Sequence, residues 1–204
     1  MTPIEALQDR ATAILGRPLT GGERDDFAQY LDLLVKWQRA HRLVGSADPM
    51  WIVEHLFLDS LLFLKLLPST VRALADLGSG AGLPGLPIKI VRRDIEVSLI
   101  ESRRRRAMFL TSAIRAIQLE GTHVVEGRVE SLSHELEGRF DAVVMRCAGD
   151  PEVMIPPAVT LLSRRGIVIA SGPPKPKTIS MGDWVIVPGI RRGTTRRFAV
   201  YRKG

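Results

Sequence analysis

The stretch that most restricts what this chain can fold into is Ala75-Asp76-Leu77-Gly78-Ser79-Gly80-Ala81-Gly82-Leu83-Pro84-Gly85, which follows directly on the apolar Val71-Arg72-Ala73-Leu74. An apolar run that ends in an acid and breaks into alternate glycines predicts a strand stopping in a tight loop ahead of a helix. Without Cβ atoms, Gly78, Gly80 and Gly82 accept positive φ and let a ligand lie against the backbone, while Pro87 suits the first turn of the following helix. Backbone N–H groups at such a helix start face a ligand that carries negative charge. The pattern lacks the Lys-Ser/Thr ending of a phosphate-gripping loop and departs from the dinucleotide fingerprint G-x-G-x-x-G. A second acid sharpens it. Glu101 closes the next apolar run, about 20 residues beyond the glycines, the reach needed to hold ribose hydroxyls. Together the two features point to an adenosine-bearing cofactor; without Glu101 the glycines would mark only a structural turn.

The rest of the chain alternates between strand and helix patterns. Strands are expected at 72–77, 96–100, 122–126, 140–146 and 166–170, with helices in most intervals, which predicts a parallel sheet covered on both faces. Two more strands, 184–187 and 197–201, form a terminal hairpin with the last strand antiparallel. Before the sheet come helices at 2–15 and 20–37, the second opened by a Thr20/Glu23 capping box, then a connector at 37–46. A third helix at 50–67 is apolar nearly all round and must be wedged between other elements. His55 and Asp59 stand one turn apart on it, a spacing that suits a structural hydrogen bond. The chain therefore divides into a helical cap (1–69) and an α/β domain (70–204), one compact unit overall. Residues 172–177 read as a linker.

Composition narrows the function. The 204 residues can bury a substantial core. The longest apolar stretch is interrupted by Glu54, His55, Asp59 and Lys65, so a soluble intracellular protein is expected, with no membrane contact. The single cysteine, Cys147, excludes an internal disulfide framework and a cysteine-cluster metal site; it reads as a small packing residue. Charge is lopsided. Residues 1–60 carry six basic and nine acidic side chains, whereas 160–204 carry ten basic ones and only Asp183 as acid, within a net charge of +7. That bias suits a polyanion, because Lys and Arg displace counterions from phosphates. Arg103, Arg104, Arg105 and Arg106 crowd the positive end of a helix dipole, each at a cost of about 0.3 to 1 kcal/mol, with Ser102 available as the cap. Phosphate binding accounts for tolerating this. With Arg191, Arg192, Arg196 and Arg197 they are expected to form one phosphate-facing rim.

Residues 76–87, then Glu101-Ser102 with Arg105-Arg106-Ala107-Met108-Phe109-Leu110, Gly127-Arg128-Val129-Glu130 and Phe140-Asp141-Ala142-Val143-Val144-Met145-Arg146, resemble the RsmG (GidB) family of bacterial ribosomal RNA methyltransferases. The resemblance implies a class I S-adenosylmethionine-dependent methyltransferase: a Rossmann-like, seven-stranded, mostly parallel sheet with an N-terminal helical extension. It implies methyl transfer from S-adenosylmethionine to guanine N7, at position 527 of 16S rRNA, on the RNA or the small ribosomal subunit, by a cytoplasmic monomer that needs no metal. Gly78, Gly80, Gly82 and Leu83 would form the cofactor loop, Glu101 would hold the ribose, Val129 and Glu130 would flank the adenine, and Arg146 would touch the cofactor and orient the acceptor. N7 offers an in-plane lone pair, so no general base is expected. Two departures stand out. Gln38, Arg42, Leu43 and Val44 occupy a neighbourhood that in relatives reads Trp-Asn followed by Asn-Leu-Thr, and Ser171-Gly172 stands where they carry Lys-Gly, unless Lys175 or Lys177 supplies that charge. The residues leave open a methyltransferase of another RNA, a small molecule or a protein, and a non-catalytic RNA-binding relative.

Overall fold

In this computed structural model the apolar runs assemble into one seven-stranded sheet. The structure describes residues 1–204 except Cys147, Pro174 and Pro176, so the packing expected of Cys147 and part of the 172–177 linker lie outside the described residues. Strands β1 (Ala73–Leu77), β2 (Glu96–Glu101), β3 (Thr122–Glu126), β4 (Phe140–Met145), β5 (Leu162–Ser171), β6 (Asp183–Pro188) and β7 (Thr195–Arg202) lie in the order β3-β2-β1-β4-β5-β7-β6. The first five are parallel, and β7 runs antiparallel to both β5 and β6. The expected hairpin is present, but its second strand inserts between β5 and β6, a swap that local sequence does not encode. β5 begins at Leu162 rather than 166, because Leu162 pairs with Phe140 ahead of a register shift.

Helices α1 (Pro3–Leu15) and α2 (Gly21–His41) each open with a reciprocal capping box, Thr2 with Glu5 and Thr20 with Glu23. α2 continues past Trp37 and stops at Arg42, which is left-handed (φ 46°). The Gln38 amide then clamps the turn by bonding both the N–H and the carbonyl of Val44. The single helix expected over 50–67 is instead four short pieces. α3 (Pro49–Ile52), capped by Asp48, runs into a π-helical turn (Val53–Phe57), then α4 (Leu58–Leu61), then a 3₁₀ turn (Leu62–Lys65). A π turn holds one more residue than an α turn and so rotates the phase of everything after it, which residue-by-residue apolarity does not reveal. α5 (Gly85–Val91), α6 (Arg104–Ala116), α7 (Val129–Leu136) and α8 (Pro151–Thr160) fill the crossovers. Among the described residues no helix is long and apolar enough to cross a membrane.

Aromatic contacts fasten the N-terminal helices to the sheet. Tyr30 stacks on Phe57 with centroids 4.9 Å apart, and Trp37 meets Phe109 of α6 edge-on at 5.6 Å. Such pairs add about 0.5–1.5 kcal/mol each beyond the area they bury. One apolar cluster runs unbroken from Leu7 and Phe27 through Leu86 and Leu110 to Ile169. The Tyr30 hydroxyl donates to the carbonyl of Ala81, inside the glycine loop, so α2 touches the segment that the sequence singled out.

Candidate active site

The glycine loop leaves β1 and is strapped to the end of β2. Gly78 and Ser79 donate to the carbonyl of Ile100 at 2.9 and 3.1 Å, and the Ser79 hydroxyl donates to the Asp76 carbonyl at 2.7 Å. Gly78 is left-handed (φ 72°), and a Cβ there would stand 3.0 Å from the Ala148 Cβ. Gly82 is also left-handed (φ 89°), and a Cβ there would strike Leu86 at 2.4 Å and Leu110 at 3.1 Å, so helix packing too requires a glycine at this position. Leu83 is likewise buried in the core, and neither residue lines the adjoining cleft.

That cleft, about 180 Å³, is lined by Gly78, Ile100, Ser102, Val129, Glu130 and Met154, among others. Gly78 follows β1, Ile100 and Ser102 lie at the end of β2, and Val129 and Glu130 open the helix after β3, as expected at the carboxyl edge of a parallel sheet. Glu101 sits between Ile100 and Ser102, 5% exposed. Its Oε2 accepts from Gly80 N–H and its Oε1 from Arg103 N–H, both at 2.8 Å. A carboxylate has about four acceptor positions, so two remain for ribose hydroxyls. The same contacts correct the capping expectation: Arg103, not Ser102, precedes α6 without a side-chain cap, and Glu101 satisfies its N–H.

Asp76 is the site residue that sequence reasoning left without a role. It is fully buried; its Oδ2 accepts from Gly85 N–H at 2.8 Å, and its Oδ1 has no hydrogen-bond partner among the described residues. Burial raises its pKa from 3.8 to about 7; the Gly85 N–H opposes the rise, nearby Glu101 adds to it and Arg146 offsets part. A buried carboxylate with an unpartnered oxygen at the root of the glycine loop gives the adjoining cleft a potential that suits a cationic ligand. S-adenosylmethionine, which carries a sulfonium and an ammonium, is such a ligand.

Next to the cleft a larger cavity of about 540 Å³ opens between α8, the end of β5 and the hairpin, with Asp150, Ser171, Lys175, Lys177, Trp184 and Arg196 on its walls. Its size is that of a nucleotide-scale ligand site. Arg146 follows β4 directly. Its Nε donates to Asp59 Oδ2 at 3.0 Å and its Nη2 to the carbonyl of His55 at 2.7 Å. Arg196 grips the same carboxylate with Nε and Nη2 at 2.6 and 3.0 Å. The expected His55–Asp59 bond does not form: the His55 ring stacks on Trp51 and its Nδ1 bonds the Trp51 carbonyl at 3.1 Å, because two arginines claim Asp59.

The two arginine groups share an edge of the sheet but not a patch. Arg103, Arg104 and Arg105 are exposed beside β2, and Arg106 is half-buried at 4.0 Å from Glu101. Arg191 and Arg192 are exposed in the hairpin turn, Arg191 pairing with Glu54 at 3.1 Å, while Arg197 is half-buried. From β2 to β7 are four strand spacings, roughly 19 Å, so the expected single rim is two clusters flanking the cleft and cavity.

The strand order, the glycine loop and the carboxyl-edge cleft define a class I methyltransferase-like fold. Solved structures show the same architecture: yhhF, a candidate methyltransferase of Escherichia coli (TM-score 0.52, 17% identity, 72% of this chain and 84% of that one), and a candidate caffeoyl-CoA O-methyltransferase of Staphylococcus aureus (TM-score 0.52, 15% identity, 69% and 65%). Residues 23–174 match the family described as GidB, rRNA small subunit methyltransferase G. A ribosomal RNA small subunit methyltransferase G of Sorangium cellulosum is 34% identical over 190 residues (91% of this chain, 79% of the relative), and one of Xanthomonas axonopodis is 33% identical over 190 residues (86% and 85%). This chain belongs to the rRNA small subunit methyltransferase G family.

Proposed function

We propose that this chain transfers a methyl group from S-adenosylmethionine to N7 of a guanine in the 16S RNA of the small ribosomal subunit. The observation that carries the reading is the family match, which spans the loop, Glu101, Val129, Glu130 and Arg146 on one edge of the sheet. Bound S-adenosylmethionine supplies a methyl on cationic sulfur: guanine N7 gives its lone pair to that carbon, the carbon–sulfur bond breaks with its pair left on sulfur, and the positive charge passes to guanine. The protein's part is placement and exclusion of water. The loop backbone at Gly78 would lie against the cofactor, Glu101 would accept from the ribose hydroxyls, Val129 and Glu130 would flank the adenine, and Arg146 would contact the cofactor and orient the acceptor. Lys175 and Lys177, on the cavity wall, bring the positive charge that Ser171 does not. The exposed arginines beside β2 and in the hairpin turn hold phosphates, which give affinity and orientation rather than base identity. The reading includes a monomeric cytoplasmic enzyme in which 1–69 cap the methyltransferase domain.

The test is transfer of labelled methyl to protein-free 16S RNA and to small subunits, with mass mapping of the modified nucleotide. Label at one guanine, sensitive to N7-directed chain cleavage, is expected. Label on adenine or cytosine, or on a small molecule with no response to salt, would refute the reading.

A further inference from the structure

Asp59 belongs to the N-terminal helical region, yet its carboxylate is where guanidinium groups from two sides of the site meet. The three side chains are 9% (Asp59), 14% (Arg146) and 29% (Arg196) exposed. Burying charges in this way carries a large desolvation cost, and apolar replacements of such triads are often neutral or stabilising, so fold stability is a weak account of the arrangement. The two arginines face different places. Arg146 stands two residues beyond Val144, the β4 register partner of Asp76 at the root of the glycine loop, and it is also held by the His55 carbonyl in the π-helical turn. Arg196 lines the 540 Å³ cavity, and its Nη1 donates to the carbonyl of Gly172 at 3.3 Å.

We propose that Asp59 is a positioning residue that fixes Arg146 toward the cofactor loop and Arg196 toward the acceptor cavity, so that affinity for cofactor and for RNA both depend on a carboxylate that touches neither. A planar guanidinium has a rigid fork of donors, so the carboxylate that accepts it sets its plane as well as its place. With three of the acceptor positions of Asp59 taken by two forks, this one carboxylate sets the plane of both guanidiniums. π turns recur at functional sites, and the one at Val53–Phe57 presents the second acceptor for Arg146.

The inference rests on the function proposed above, and its test separates the two. S-adenosylhomocysteine would be titrated calorimetrically, and small-subunit RNA by filter binding, into wild type, Asp59→Asn, Asp59→Glu and Arg196→Gln, each checked for folding by circular dichroism. Asp59→Asn should weaken both ligands by roughly tenfold, the loss expected when a charge-assisted contact is mis-set. Arg196→Gln should weaken RNA alone and leave S-adenosylhomocysteine within about twofold of wild type, as follows if only Asp59 serves both sides. Asp59→Glu keeps the charge but moves it by a methylene, and should show a smaller paired loss. A folded Asp59→Asn with both affinities intact, or with only one reduced, overturns the proposal. If Asp59→Asn does not fold, Asp59→Glu decides, and wild-type affinity for both ligands overturns it. Failure of wild type to methylate RNA refutes the function, while the S-adenosylhomocysteine titrations still test the link from Asp59 to Arg146.

Discussion

Replacing Asp76 with Asn removes a buried charge while keeping the shape and the acceptor for Gly85 N–H. In the wild-type protein without cofactor, the rise from 3.8 to about 7 corresponds to ~4 kcal/mol between the two protonation states. The sign follows from linkage. The folded protein holds this proton more tightly than the unfolded chain does, so the contribution of Asp76 is fully present below pH 3.8 and is lost as pH rises through about 7. Asn is neutral throughout. Calorimetric scans of the cofactor-free proteins should therefore give similar midpoints near pH 4 and diverge upward. At pH 8 Asp76→Asn should melt on the order of 10 °C higher, at 2–4 °C per kcal/mol for a domain of this size. A cationic cofactor reverses the preference by favouring the carboxylate, so binding near pH 6.5 should release a proton from wild type and none from the variant. That proton appears as a heat of binding that varies with the ionisation enthalpy of the buffer. A midpoint difference that stays constant with pH, together with buffer-independent heats for wild type, would refute the assignment.

Gly78→Val should abolish measurable S-adenosylmethionine binding, because its side chain would press on Ala148 from a left-handed backbone; unchanged affinity in a folded variant would remove Gly78 from the site. Glu101→Gln replaces one of two acceptors with a donor, so it should lower cofactor affinity by about 1.5–3 kcal/mol and also destabilise the cofactor-free protein by about 1–3 kcal/mol, as one of the Gly80 and Arg103 N–H groups loses its partner. Calorimetry and urea unfolding report the two effects separately. Replacing Arg104 and Arg105 with Gln should flatten the salt dependence of RNA binding by about 0.7 to 0.9 log units per lost phosphate contact and leave S-adenosylmethionine affinity unchanged. An unchanged slope would show that these arginines do not meet phosphate.

What was legible in the sequence was what is local. The β1–loop–α5 junction, the acid that ends β2 and the Thr20/Glu23 capping box each lie within a few consecutive residues, where glycine placement, alternation and cap chemistry act directly. Where pairing spans the chain, residue patterns fell short. Asp59 and Arg196 are 137 positions apart, and neither carries a mark of the other. Arg196 read as part of a phosphate-facing rim because it stands in a cluster of arginines near the end of the sequence, and Asp59 read as a partner for His55 because one helical turn separates them. The π turn broke that spacing rule. Asp76 was visible as the acid that ends a strand, but its unsatisfied oxygen depends on burial by segments far along the chain. The loop was read as one unit, and the packing of Gly82 against Leu86 and of Leu83 in the core depends on helices that its own residues do not announce.

The bond from Tyr30 to Ala81 gives the glycine loop a share in the opening equilibrium of α2. The Tyr30 ring is fully buried against Phe57, so its hydroxyl cannot let go of the loop unless α2 lifts, and α2 cannot lift without exposing that contact to water. The two segments should therefore exchange their amide hydrogens as one cooperative unit, although about 40 residues lie between them in the chain. Ligand that orders the loop should slow exchange in the middle of α2, a surface that it never meets. A chain shortened to begin at the sheet would keep every residue of the glycine loop and its bonds to β2, yet lose the tie that couples it to α2.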